Sequence, residues 1–300
     1  MLILSPRDWA DYELIDCGNF EKLERFGAFI LARPEPKALW ERSLSEKEWN
    51  DLVHARFVVG EGRMLNARTG RDEGYWEKVK KMPDQWQIRY TGKGYDFKMR
   101  LGLTAFKHVG IFPEQAPNWD YIFEVVSRLR SREAPKILNL FAYTGGASLA
   151  ARAAGAEVTH LDAVRQVVTW ARENMALNSM NGIRWIVEDA LKFVKRQARR
   201  GVLYQGIILD PPAYGHGPDG ERWKLDECLF ALLQACNTIL APQSSFILLN
   251  LYSNGYSALL AETLTQQAFG VETKRSSGEL FVKDKFEKRL PLSIFTRMER

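Results

Sequence analysis

A chain of 300 residues that is 46% hydrophobic and 26% charged has the make-up of a folded globular protein, with room for one large core or two smaller ones. That balance excludes intrinsic disorder and the fibrous classes. The 42 Lys and Arg against 37 Asp and Glu leave a net charge of +5, which permits a nucleic-acid partner without demanding one. Three widely spaced thiols, Cys17, Cys228 and Cys236, form neither a disulfide framework nor a CxxC clamp, so the expectation is a reducing, cytoplasmic setting and no metal. No basic segment precedes the apolar start, so no leader is expected, and no apolar run approaches the ~20 residues of a membrane helix. Nothing in the pattern speaks to oligomeric state.

The first 110 residues read as strands and turns. Ala28 to Ala32 is an apolar run closed by Pro34 and Pro36. Ser45 and Glu48 have capping-box spacing ahead of Trp49, Leu52 and Val53, which predicts a short helix. Trp86, Ile88 and Tyr90 alternate with polar residues, as do Phe97, Met99 and Leu101, and the glycines between them predict a hairpin with one buried face. Six of the nine tryptophans fall in the first 119 residues. They are either stacking platforms for bases or, the reading favoured here, filling for the core of a small sheet.

From Lys136 short apolar runs alternate with amphipathic helices. Strands are expected at 136–141, 157–161, 184–187, 205–209 and 246–251, and helices at 147–154, 190–199 and 225–240, with another helix after Asp162. Glu279 to Val282 and Leu290 to Arg297 suggest a closing antiparallel pair. The rhythm predicts an α/β fold, a Rossmann-like parallel sheet covered on both faces, preceded by a smaller β-rich N-terminal domain. The division is drawn at 1–110 and 111–300.

Ligands of such sheets bind beyond the carboxyl ends of the strands, and the unusual residues stand there. Phe141-Ala142-Tyr143-Thr144-Gly145-Gly146 follows the first strand, Asp162 ends the second, Glu188-Asp189-Ala190 follows the third and Asp210-Pro211-Pro212 the fourth. Each alone is a common turn or cap; their order within one series is specific. A nicotinamide dinucleotide requires GxGxxG at the first turn, and Gly145-Gly146-Ala147-Ser148 does not supply it. A nucleoside without phosphates, S-adenosylmethionine, suits the series better.

The stretches Asn139 to Ala147, His160 to Ala163, Glu188 to Val194 and Ile208 to Gly215 resemble the successive motifs of class I S-adenosylmethionine-dependent methyltransferases. Within that class the chain is most similar to the 23S rRNA cytosine-C5 methyltransferase-like family, over roughly residues 105 to 300. Gly110 to Gln115 looks like the segment that leans over the cofactor there, with Glu114 in place of the acidic Asp and no terminal Arg. The resemblance implies that Asn139, Phe141, Tyr143, Thr144 and Gly145 line the methionine end of S-adenosyl-L-methionine. It further implies that Asp162 and Ala163 hold the ribose, Asp189 and Ala190 the adenine, and Asp210 the sulfonium side, with Phe112 and Gln115 covering the site.

One departure decides the expected chemistry. Members of that family that methylate cytosine at carbon 5 place a Cys nucleophile just after the fifth strand, where this chain reads Asn250-Leu251-Tyr252-Ser253-Asn254. Direct transfer to a nitrogen or oxygen remains, and a nitrogen of an RNA base is the expected acceptor, with Asp210, Pro211 and Tyr214 as catalytic candidates by likeness to the (Asn/Asp)-Pro-Pro-(Tyr/Phe) loop of amino-methyltransferases, Tyr214 standing one residue late. Tyr214 either stacks on the base or packs under the following loop, and His216 is either a base or merely solvated. Lys192, Lys195, Arg196, Arg199 and Arg200, and Lys274, Arg275, Lys283, Lys285, Lys288 and Arg289, are either RNA contacts or a solvated face. A methyltransferase for a small molecule or protein stays open, as does, further off, a nicotinamide oxidoreductase.

Overall fold

The computed structural model describes residues 1–59, 74–129, 133–252, 255–271 and 273–300. Its strands and helices follow the order β1 (Leu2–Leu4), β2 (Tyr12–Gly18), β3 (Glu21–Phe26), β4 (Phe29–Pro34), α1 (Glu46–Leu52), β5 (Ala55–Val59), β6 (Gly74–Lys78), β7 (Gln85–Gly92) and β8 (Tyr95–Gly102). A single 3-10 turn, Pro113–Gln115, leads into α2 (Ala116–Leu129). There follow β9 (Lys136–Leu140), α3 (Gly146–Ala153), β10 (Glu157–Asp162), α4 (Arg165–Leu177), β11 (Ile183–Val187), α5 (Ala190–Arg199) and β12 (Gly206–Leu209). The chain continues through β13 (Tyr214–His216), β14 (Arg222–Lys224), α6 (Leu225–Asn237), β15 (Phe246–Tyr252), α7 (Ala258–Phe269), β16 (Lys274–Lys283) and β17 (Arg289–Glu299).

The large sheet runs β1-β16-β17-β15-β12-β9-β10-β11. Its five strands from β15 to β11 are parallel, β17 is antiparallel to both its neighbours, and β1 closes the edge parallel to β16. Strands β9, β12 and β15 are near-continuous apolar runs because both their faces are covered. Trp119 and Ile122 of α2, Leu149 of α3 and the hairpin β7–β8 pack on one face. Phe193 of α5, Leu229 and Leu233 of α6 and Phe269 of α7 pack on the other. From β9 the chain steps outward to β10 and β11, then returns to β12 on the opposite side of β9. The order reverses there, and the carboxyl ends of β9 and β12 part to leave a crevice.

The N-terminal part forms a five-stranded sheet, β2-β3-β4-β5-β6, and the hairpin β7–β8. The hairpin buries Trp86, Ile88, Tyr90, Phe97, Met99 and Leu101, the alternating residues, and α1 carries the expected capping box between Ser45 and Glu48. Trp9, Trp49, Trp86 and Trp119 are buried, which fits core filling and removes them as platforms for bases. The last antiparallel pair is longer than its apolar pattern indicated, and α6 stops at Asn237 rather than 240. Helices α2 and α7 and the β13–β14 hairpin were not expected. No helix among the described residues is long and apolar enough to cross a membrane.

Candidate functional site

The site is built from four loops that leave the parallel strands at one level. Leu140 pairs with Leu161 and with Leu209, and Asp162 with Val187, so Phe141, Asp162, Glu188 and Asp210 stand in a row along the sheet's carboxyl edge. After β9 the turn is tight enough that Phe141 and Tyr143 adopt positive φ, 55° and 48°, before Gly145 at 95° opens α3. Non-glycine residues seldom hold that region, and two in three positions mark a turn held by its surroundings. The holding groups are visible. Asp162 Oδ2 accepts the Tyr143 N–H at 3.0 Å, its Oδ1 accepts the Val164 N–H at 2.9 Å, and the Thr144 hydroxyl donates to the Gly110 carbonyl at 2.6 Å.

Beneath the turn, the Asn139 amide donates to Ser148 Oγ at 2.9 Å, and Ser148 Oγ lies 3.0 Å from His160 Nδ1. Burial holds the His160 imidazole neutral, its pKa pushed down to about 3. The pair Asn139 and His160 therefore braces α3 against β9 and β10 rather than moving protons.

At the end of β12, Asp210 accepts the Asn250 amide N–H at 2.7 Å. Burial pushes its carboxyl up to about 7, against the lowering effect of that hydrogen bond. Burial also raises Glu114, whose Oε1 accepts the Tyr252 hydroxyl at 3.2 Å. The Phe112 ring packs among three others, its centroid 5.3 Å from Tyr143, 5.4 Å from Tyr252 and 5.1 Å from His108.

These groups surround a cleft at the β9–β12 crevice. Of the residues expected from the sequence, Phe112, Gln115, Asn139, Phe141, Tyr143, Thr144, Gly145 and Asp210 line it. Asp162 sits one hydrogen bond away, under Tyr143, with Ala163 beside it. Asp189 and Ala190 stand farther along the edge, where Asp189 Oδ1 caps α5 through the Lys192 N–H at 2.8 Å. Pro211 and Tyr214 are not among the lining residues. Tyr214 lies on the β13–β14 hairpin, where its hydroxyl is 3.0 Å from His216 Nε2 and its ring stands edge-on to that imidazole, so the expected loop is an ordered ribbon. Asn250, Trp119 and the Glu114–Tyr252 pair were missed as site residues. Asn250 and Tyr252 had only their β15 position to mark them.

The cleft's chemistry suits a cationic nucleoside. It offers the carboxyl of Asp210 and an apolar floor of Ile111 and Trp119, with Asp162 behind the Tyr143 turn. Two buried polar atoms that line it, Gln115 Nε2 and Asn250 Oδ1, have no partner. A family model for S-adenosylmethionine-dependent methyltransferases matches residues 52–267. The chain belongs to that family. The S-adenosylmethionine-dependent methyltransferase of Agrobacterium tumefaciens superimposes over 100% of this chain and 93% of its own, with a TM-score of 0.89 and 36% identity. SMU.776, solved in complex with SAH, shares the fold at a TM-score of 0.71 and 16% identity, over 97% of this chain and 76% of its own.

Curated relatives of this methyltransferase include ribosomal RNA large subunit methyltransferase K/L of Aeromonas hydrophila, 26% identical over 92% of the chain. The K/L enzyme of Shewanella frigidimarina is 30% identical over 56%. The chain spans only 39% and 23% of those two proteins' lengths. S-adenosylmethionine is the cofactor of this methyltransferase family, and membership sets aside the nicotinamide oxidoreductase. Among the described residues no three His, Cys, Asp or Glu side chains converge to hold a metal.

Several of the cations read as either RNA contacts or a solvated face are engaged within the methyltransferase itself. Lys192 pairs with Glu221, Arg196 with Glu188, Lys283 with Glu287, Lys285 with Glu13, and Lys288 with Asp16 at 2.7 Å. Those pairs leave Lys195, Arg199 and Arg200, exposed at the end of α5, as the more accessible cluster.

Proposed function

We propose that this methyltransferase acts on a nitrogen of a base in RNA, ribosomal RNA in particular, by direct displacement. The observation that carries the reading is the Asp210–Asn250 pair at the β9–β12 crevice, with no thiol among the cleft's lining residues. Cys17 and Cys236 are fully buried, and burial pushes the Cys17 thiol up to about 12. Cytosine C5 chemistry needs a thiolate nucleophile, whereas a nitrogen already carries its lone pair. The names of the curated relatives support ribosomal RNA as the substrate.

When bound, S-adenosylmethionine supplies an electrophilic methyl group on a sulfonium. In this reading Tyr143, Thr144 and Gly145 hold the methionine end, Asp162 with Ala163 the ribose hydroxyls, and Asp189 with Ala190 the adenine amine. Asp162 has both oxygens fixed by backbone N–H groups, which orients its remaining lone pairs without a further entropic cost. Phe112 and Gln115 exclude water. Asp210 accepts hydrogen from the target nitrogen, Pro211 stiffens the turn that positions it, and Tyr214, on the β13–β14 ribbon that follows, stacks on the base. The N-terminal part, residues 1–110, helps to hold the RNA.

Nucleoside mass spectrometry of ribosomal RNA from cells with and without the gene tests this. One base-methylated nucleoside should disappear on deletion; an unchanged set of modifications would overturn the RNA assignment. A small-molecule or protein acceptor is the second reading, favoured by the internal pairing of the Lys and Arg side chains above. Competition by unmodified polyanionic RNA separates the two: RNA binding should weaken steeply with salt, and a small acceptor would be indifferent to it.

A further inference from the structure

Asn250 holds a position that the cofactor reading leaves unused. It is fully buried, lines the cleft, and donates through Nδ2 to Asp210 Oδ1, while its Oδ1 has no hydrogen-bond partner. The amide turns its NH₂ group toward Asp210 Oδ1, the orientation that an ionised carboxylate, which only accepts, requires. A buried carbonyl oxygen without a partner is unfavourable, and here it faces a space where a ligand's donor fits.

The sheet order says which ligand. Tyr143 and Asp189 follow β9 and β11 and Asp162 ends β10, all on one side of Asp210, whereas Asn250 lies within β15 on the other side, beyond β12. Leu249 pairs with Leu209, so Asn250 is level with Asp210 and adjacent to it. Tyr252, two residues on and therefore on the same face of β15, closes against Phe112 with centroids 5.4 Å apart. The orphan oxygen thus belongs to the half of the cleft away from the cofactor strands.

We infer that Asn250 is a substrate-binding residue, its Oδ1 and the free oxygen of Asp210 forming two adjacent acceptors for an exocyclic amino group on the target base. Such a group offers two hydrogens to two acceptors, and the neighbouring amide keeps the Asp210 carboxylate from rotating. Adenine, guanine and cytosine carry the group; uracil does not, and a site with two buried acceptors rejects a base that presents a carbonyl there. This rests on the reading of the acceptor as an RNA base.

The test uses the purified full chain, methyl-labelled S-adenosylmethionine, and ribosomal RNA from cells lacking the gene, with SAH affinity measured alongside. Asn250→Leu should lower kcat/KM for transfer about 100-fold while SAH affinity stays within about threefold. Asn250→Asp keeps an acceptor but sets a second carboxylate against Asp210. It should shift the acid limb of the pH profile upward and recover activity at high pH, which a merely structural role would not produce. The other titratable groups facing Asp210, namely Glu114, Tyr252 and Tyr143, are unchanged in both variants. Wild-type activity in Asn250→Leu, parallel loss of SAH affinity, or methylation of a uridine would each overturn the inference. No labelling of RNA by the wild type would instead refute the underlying base assignment, and the inference with it.

Discussion

At Asp210 burial and the amide of Asn250 pull in opposite directions, and burial prevails, so the carboxyl titrates near neutrality. A carboxylate that accepts hydrogen from the target nitrogen must be ionised, so kcat/KM should fall as pH drops through about 7, and Asp210→Asn should lose that limb along with most of the activity. The effect on stability has the opposite sense. With its folded pKa above the unfolded value near 3.9, Asp210 adds stability at low pH that is lost as pH rises through about 7. Asp210→Asn without ligand should therefore melt higher than wild type at pH 8, by about 2 °C for roughly 1 kcal/mol in a chain of this size, and no higher at pH 4. Asp162 is different, since its oxygens tie down Tyr143 and Val164. Asp162→Asn keeps an acceptor for the backbone yet loses the charge proposed to hold the ribose, and calorimetry should show S-adenosylmethionine binding at least about tenfold weaker.

The same site depends on elements that never touch it. Gly110 has φ +101°, and a Cβ there would come within 2.3 Å of Trp170 Cζ2, while its carbonyl accepts the Thr144 hydroxyl. Gly110→Ala should cost at least about 2 kcal/mol in denaturant unfolding and loosen the turn that Thr144 terminates. This linkage was invisible in the sequence, where Gly110 only opened a motif-like segment, because the partner is 60 residues away on α4. What was legible followed from local pattern: the strand periods of β7, β8, β9, β12 and β15, the capping box of α1, and the strand-end acids Asp162 and Asp210. Asn250 reads as one polar residue in the apolar run of β15, and its meaning comes from register with Leu209 on a neighbouring strand. Helix α2 was hidden behind Pro117, which sits near the start of the helix where proline is tolerated, and α7 by the mixed polarity of its exposed side.

On the scale of the whole molecule, charge that looked available for RNA is partly structural. Lys288 was a candidate phosphate contact, and it instead bridges Asp16 of β2 and Asp284, joining the N-terminal sheet to the turn between β16 and β17. A second, buried network lies within the N-terminal part and reaches the segment that leads to Phe112. Arg33 pairs with Glu24 at 2.6 Å and donates to the Lys107 carbonyl, and Lys22 bridges Glu24 and Glu35. Arg33→Met would leave Glu24 buried without its main partner, and urea unfolding should show a loss of about 3–5 kcal/mol. The account as a whole turns on where the methyl group goes. Purified protein, trideuteromethyl-labelled S-adenosylmethionine and ribosomal RNA from cells lacking the gene yield a nucleoside whose fragmentation mass spectrum locates the label. It should be found on a nitrogen of the base; a label on carbon 5 of cytosine, or on the ribose, would contradict the account.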